Sequence, residues 1–452
     1  MIALWGRMVS CAPVANRRPA DLLSRDLQAG CQPAAGLTTC PTTQLIGIWR
    51  GFRFAGLVFL FALMANAQRV NMAYFYNGDD GYSPKNIATS GAAARITHLM
   101  YAFGKPTATG CAVSERQADY EKRYDAADSV DGKADSAEPH AVRGNFGQLL
   151  RLKAAYPRLK VLISLGGWTL SSHFSEAAST AASRQAFVAS CIGLFIKGDL
   201  GSGRSIAGLF DGIDVDWEYP GACGNTCAFS AADPQNFTAL LAEFRRQLDR
   251  LDKRYLLTIA APAGHEQYSL LDLNGIHPYL NYINLMAYDL HGAWEKTTNH
   301  LAPLYANPAE PAETANRTVD RAVTDYLAGG VPPGKLVLGV PLYGRGWKGV
   351  PNTNNGLYQT ATGPAKAGEE AGVAAYRVLK DLGYPGFRDP VAQAYWVYSA
   401  GTDVFWSYDD PASLVNKANY IKSKGLAGAM SWELSNDDAS GTLLSALADG
   451  LK

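Results

Sequence analysis

The run Asp211-Gly212-Ile213-Asp214-Val215-Asp216-Trp217-Glu218-Tyr219-Pro220 alternates acidic with apolar residues from Ile213 to Glu218. Strict alternation is the period of a β-strand, whose side chains point to opposite faces at each step. Asp214, Asp216 and Glu218 therefore share one face, and Ile213, Val215 and Trp217 share the other. Neighbouring carboxylates repel one another and lose hydration when buried, so a fold gains from such a row only through chemistry. The chemistry that two or three close carboxyls perform is general acid–base transfer. Pro220 ends the strand, so Glu218 falls at its C-terminal lip, where parallel α/β folds place their active sites. A calcium loop also spaces its aspartates, but it wants a Gly at the sixth position and a Glu at the twelfth. The Ile, Val and Trp between these acids suit a buried strand, as does the preceding Ile206-Ala207-Gly208-Leu209-Phe210.

Three other short motifs follow the same logic: Ser164-Leu165-Gly166-Gly167, Met286-Ala287-Tyr288-Asp289 and Tyr343-Gly344-Arg345. Together with Asp-x-x-Asp-x-Asp-x-Glu at 211–218, and in this order, they resemble the family 18 glycoside hydrolases, the chitinases. The similarity spans about Arg69 to the C-terminus. The resemblance implies that Tyr288 hydrogen-bonds the acetamide carbonyl of the substrate and that Asp289 binds a neighbouring sugar hydroxyl. It implies Trp432 as the floor beneath a distorted sugar, with Tyr343 and Arg345 as cleft contacts. Phe103 is counted with the substrate-binding residues, and Trp168 and Trp294 are candidates for stacking on the leaving-group side. Met286 reads as barrel packing beside the cleft.

Two catalytic carboxyls in a glycosidase normally flank the scissile bond. Alternate residues on one strand lie roughly 6.6–6.8 Å apart along its axis and on the same side, which makes Asp216 a poor opposite-face nucleophile for Glu218. The resemblance implies the alternative, in which the N-acetyl oxygen of the sugar attacks its own anomeric carbon to give an oxazolinium ion. Glu218 is then the general acid and later the base. Asp216 orients the acetamide N–H, and its charge is expected to raise the pKa of Glu218. Asp214 is expected to hold Asp216, with Ser164 and Tyr74 as supporting donors. Asp211 reads as structural. No metal or other cofactor is called for, since His98, His265 and His291 form no His-x-x-x-His spacing.

The segments that must position these groups read as strands at Val70–Tyr76, Ile96–Phe103, Leu159–Leu165, the acidic strand, Leu256–Ala261, Tyr282–Tyr288, Leu336–Leu342 and Ala427–Trp432. Helical spacing separates them at Phe146–Tyr156, Ala181–Ile196, Pro234–Leu251, Ala315–Leu327 and Pro411–Lys424. Eight strands alternating with helices predict an α/β fold, a (β/α)8 TIM barrel. Residues 346–400 break the rhythm with Gly, Asn, Tyr and short strand-like pieces, and read as a small α+β insertion between strands 7 and 8. Residues 104–143 form a long polar insertion, which reads equally as a functional loop or a surface one.

The chain has a formal net charge of zero, and residues 68–452 carry net −4, so nothing favours a nucleic-acid partner. Nine Trp and 23 Tyr suit a cleft that covers the apolar faces of sugar rings. Phe54–Ala65 is an apolar run of twelve residues behind Arg50 and Arg53, ending in Ala65-Asn66-Ala67. It is too short to span a bilayer and reads as a secretory signal peptide over 50–67, with cleavage near Ala67-Gln68 and no stable membrane anchor. Residues 1–49 have no clear periodicity and read as a doubtful leader ahead of a downstream start. Residues 68–452 then form the catalytic barrel with its insertion, leaving no stretch for a separate carbohydrate-binding module. In an exported chain Cys223 and Cys227 are expected to pair, while Cys191, in an apolar helix, reads as a buried thiol.

The expected protein is a secreted monomer that cuts β-1,4-linked N-acetylglucosamine polymers such as chitin, endo-type and with retention. The rivals are an endo-β-N-acetylglucosaminidase or peptidoglycan hydrolase of the same type, and a chitinase-like lectin that binds without cutting. A lectin has little use for Glu218 beside Asp216. A wall-forming insertion suits a deep cleft for a linear chain.

Overall fold

The structure is a computed structural model that describes residues 69–77, 81–312, 314–368 and 370–452. The leader, the signal peptide and its cleavage site lie outside these residues. Strand β1 (Val70–Tyr76) leads through two short helices to β2 (His98–Thr107), which turns back into β3 (Gly110–Val113). Strands β4 (Lys160–Gly166), β5 (Gly212–Asp216), β6 (Leu256–Pro262), β7 (Tyr282–Met286) and β8 (Leu336–Pro341) follow, separated by helices. A second sheet then begins with β9 (Tyr343–Lys348), β10 (Gly363–Pro364) and β11 (Val373–Ala375). It continues through β12 (Gly386–Asp389), β13 (Ala394–Ser399) and β14 (Val404–Tyr408). The chain returns to the first sheet as β15 (Gly428–Trp432).

Strands β1, β15, β8, β7, β6, β5, β4 and β2 pair in that order, all parallel, and β1 pairs with β2 to close the ring. This is the TIM barrel that the alternation of segments predicts, with the antiparallel six-stranded sheet inserted between its seventh and eighth strands. The inserted sheet runs from Tyr343 to Tyr408, wider than residues 346–400, because the Tyr-Gly-Arg motif itself begins one of its inner strands, β9.

The period of two sorts each barrel strand. Val70, Met72 and Tyr74 of β1, Leu162 of β4 and Met430 of β15 pack inside the barrel. Ile213 and Val215 of β5 point outward into the shell of helices, with Ala73, Phe75, Ile163 and Leu165. Asp233–Leu251 shows how a helix answers that face. Its Phe237, Leu240, Leu241, Phe244 and Leu248 recur at helical spacing and are all buried, and Phe237 meets the edge of Trp217 at 5.7 Å. The helix Pro411–Lys424 starts where Asp410 accepts the Ser413 N–H at 3.0 Å. The helix expected from Ala315 begins only at Val319, because Thr318 caps it by accepting the Arg321 N–H at 3.2 Å.

Residues 104–143 are an ordered appendage. Strands β2 and β3 make a hairpin, and the Arg151 guanidinium gathers Ser129, Asp131 and Asp135 around itself. Cys191 is not a free thiol: it is disulfide-bonded to Cys111 in β3, 80 residues away, and Cys223 pairs with Cys227. Spacing could not suggest the first bond, because the barrel alone brings the hairpin against the helix Ala181–Cys191. Among the described residues no helix is long and apolar enough to cross a membrane. Replacing Cys111 and Cys191 together with Ser should lower stability by about 2–4 kcal/mol, as read by denaturant unfolding. An unchanged midpoint would show that the bond does not form.

Candidate active site

The site is built on β5 and the two strands beside it. Asp214 points into the barrel and is fully buried, at 0% exposure. Its register partners are Ser164 on β4 and Thr258 on β6, and both donate to it, at 2.7 Å and 2.5 Å. Tyr74 adds a third hydrogen bond at 2.8 Å and Asn284 of β7 a fourth at 3.2 Å. Burial raises the pKa of Asp214, and these four donors pull it back. Thr258 and Asn284 carried a signal in the sequence, each being a polar residue inside an apolar strand.

Asp216 is different. It is 3% exposed, and its Oδ1 has no hydrogen-bond partner among the described residues. Asp214 spends its oxygens on the four donors instead of holding Asp216. Burial, then the charges of Glu218 and Asp214, push the Asp216 carboxyl well above its ordinary range. The Glu218 carboxyl is pushed up to about 7, first by burial and then by the charge of Asp289, against a hydrogen bond from Tyr219. Burial thus holds both carboxyls above their ordinary range. The rise expected for Glu218 is present, with burial as its largest cause.

Strand β5 ends at Asp216 and does not reach Glu218. The ladder to β4 stops at Gly166 opposite Asp216, and that to β6 stops at Ile259 opposite Val215. Trp217 is pinned outside by Phe174, stacked at 5.3 Å. The Glu218 N–H is bonded to Ser171 Oγ at 3.0 Å. The Gly-Gly of the second motif lets the two loops meet. A Cβ on Gly166 would lie 2.3 Å from the Asp216 carbonyl oxygen, and one on Gly167 2.5 Å from the Phe103 ring. Nothing in the sequence singled out Ser171 or Tyr219.

The remaining residues form two groups. Trp432 lies beside Tyr74, with centroids 5.3 Å apart, and stacks on Phe103 at 5.8 Å. Met286 and Tyr288 pack against the same interior cluster. Burial, then the charges of Asp216, Asp289, Glu218 and Asp214, hold the Tyr288 phenol well above its ordinary pKa, so it remains a donor among four carboxyls. In the second group Arg345 binds Asp289 with both arms of its guanidinium, at 2.8 Å and 2.7 Å. Tyr343 also hydrogen-bonds Asp289. Arg345 is only 6% exposed, so its contact is with Asp289 more than with the open cleft. Its guanidinium lies 5.1 Å from the Trp294 ring centroid, and Trp294 is 40% exposed. Trp168 is half-buried at the end of β4. Asp211 accepts from Lys153 at 2.8 Å and from the Val161 N–H at 2.9 Å, far below these groups in the ladder. Among the described residues no cluster of His, Cys, Asp and Glu is placed to hold a metal ion.

A family model described as Glycosyl hydrolases family 18 matches residues 71–437. The chain belongs to family 18. It is 40% identical over 392 residues to Chitinase 63 of Streptomyces plicatus, which covers 85% of this chain and 60% of that protein. It is 38% identical over 390 residues to Chitinase 1 of Aphanocladium album, covering 84% of this chain and 85% of that one. Among solved structures, the catalytic domain of psychrophilic chitinase B from Arthrobacter TAD20 matches with a TM-score of 0.80 at 39% identity, covering 85% of this chain and 95% of that one. This family 18 chain thus spans about three fifths of the length of the Streptomyces chitinases it matches.

The raised acid gives a stability test. The folded protein holds the Glu218 proton more tightly than the unfolded chain, whose carboxyl titrates near 4.5. That contribution is complete below pH 4.5 and is lost as pH rises through about 7. Glu218→Gln should therefore raise Tm relative to the parent at pH 8.5, by a few degrees, with a smaller difference at pH 4. A difference that does not change with pH would contradict the raised pKa.

Proposed function

We propose that the protein hydrolyses β-1,4-linked N-acetylglucosamine polymers, most directly chitin, with retention at the anomeric carbon and with the substrate's own acetamido oxygen as nucleophile. The observation that carries this reading is the state of the carboxyls around Glu218. Asp216 stands two residues away on the same stretch of chain. The other acid whose charge Glu218 feels, Asp289, has both oxygens taken by Arg345. Neither is a free carboxylate aimed at the far face of a sugar, as a conventional double displacement needs.

Glu218 protonates the leaving oxygen, and its pKa near 7 keeps that proton available at neutral pH. Asp216 accepts from the acetamide N–H, which supplies a donor for its unpartnered oxygen and offsets the oxazolinium charge. Tyr288, held protonated, donates to the acetamide carbonyl and aims it at the anomeric carbon. Glu218, now ionised, takes a proton from the water that opens the ring. Trp432, stacked on Phe103, offers an aromatic floor to the sugar, and the half-exposed Trp294 a face further along the cleft. The sheet inserted after the seventh strand, whose Tyr343 and Arg345 meet Asp289, suits endo-type cutting of a long chain. Two disulfides among the described residues favour an oxidising compartment, in keeping with export and cleavage near Ala67-Gln68.

A hexamer of N-acetylglucosamine, with anomers resolved at early times, tests the reading. Fresh product should be the β-anomer, and de-acetylated oligomers should resist cleavage. Glu218→Gln should lower kcat by a factor on the order of 10³ or more while oligomer binding stays within a few-fold. Fresh α-anomer would overturn the mechanism, and a hexamer left intact would overturn the substrate.

A further inference from the structure

Glu218 lies beyond the last ladder pair of its own strand, so no neighbouring strand fixes its backbone. One side chain takes over that task. Ser171 sits in the turn that follows Trp168 and is 6% exposed. Its Oγ accepts the Glu218 N–H at 3.0 Å. Its own hydrogen faces two carbonyls, Gly167 at 2.8 Å and Asp216 at 3.1 Å. The Gly167 N–H in turn donates to the same Asp216 carbonyl at 2.8 Å. A single hydroxyl therefore joins the backbone on either side of Trp217 to the glycine turn of the adjacent strand.

We infer that Ser171 is a positioning residue for the catalytic acid: its hydroxyl replaces the missing ladder partner and fixes the Glu218 backbone relative to Asp216. The inference rests on Glu218 being the acid and goes beyond it, since Ser171 acts through the backbone on either side of Trp217. The bond is made where a strand register would otherwise hold the residue, and a register fixes direction as well as place. Without it the Glu218 N–H loses a buried acceptor, and the side chain gains freedom to swing into water. Misplacing a proton donor by a fraction of an ångström lowers the chemical step far more than it lowers binding. A carboxyl that reaches water also loses the desolvation that raises its pKa, so the basic limb of the rate profile moves with it.

The test uses the full chain and the N-acetylglucosamine hexamer. Ser171→Ala should lower kcat by about 10–100-fold with KM within about 2-fold. It should also shift the basic limb of the kcat profile to lower pH by roughly half a unit or more. Ser171→Cys, near-isosteric but a weak acceptor, should lie between Ala and the parent, and carries the test if the Ala variant does not fold. A residue that mattered only for folding would lower Tm and leave the limb in place, so an unmoved limb in a folded variant overturns the inference. Parallel assay of Glu218→Gln separates the two claims. An active Gln variant removes the acid assignment and this inference with it, whereas an inactive Gln variant beside an unmoved Ser171→Ala limb removes the inference alone.

Discussion

A barrel interior that accepts three acids from one segment must supply each with donors, a proton or water. The site is the solution to that constraint. Asp214, the deepest, receives four hydrogen bonds from four different strands, and two of those donors are its register neighbours. Closing the ring between β1 and β2 is what brings Tyr74 across to it. With Asp214 satisfied by the fold alone, Asp216 Oδ1 is left without a donor among the described residues. Burial likewise raises the Glu218 carboxyl, to about 7.

The second structural commitment is the Arg345–Asp289 pair. Arg345 belongs to the inserted sheet and Asp289 to the end of the sixth barrel strand, so one bidentate contact ties insertion to barrel beside the cleft. The loop beyond Asp289 is fastened in the same way. His291 meets Glu295 at 3.0 Å, Arg317 meets Glu295 at 2.9 Å, and the Trp347 indole donates to the Glu295 carbonyl at 3.1 Å. These contacts seat the loop that carries Trp294. The loop bearing the exposed Trp294 is thus tied to Arg317 on one side and, through Trp347, to the inserted sheet on the other.

Much of this was legible in the sequence, because alternation and short motifs report local geometry. The inward row of acids, the strand–helix rhythm and the break in it after the seventh strand all follow from side-chain period and turn residues. What was not legible depended on neighbours. The length of β5 is set by where β4 and β6 stop, so Glu218 leaves the ladder although its own pattern continues. Cys191 finds Cys111 only after the hairpin folds back. Arg345 and Tyr343 turn toward Asp289, a choice that no spacing encodes. Ser171 carries no signal at all, being a serine in a polar turn whose role exists only once two strand ends are side by side.

The central claim is that burial raises the carboxyls of both Asp216 and Glu218 above their ordinary range, Glu218 to about 7. Titration of the carboxyl carbons by ¹³C NMR, in protein labelled at Asp and Glu and assigned with the single Asn and Gln variants, measures this directly. The account predicts that both titrate above the ordinary carboxylate range, Glu218 at about 7. Two carboxyls that both titrate near 4, in the ordinary range, would contradict it.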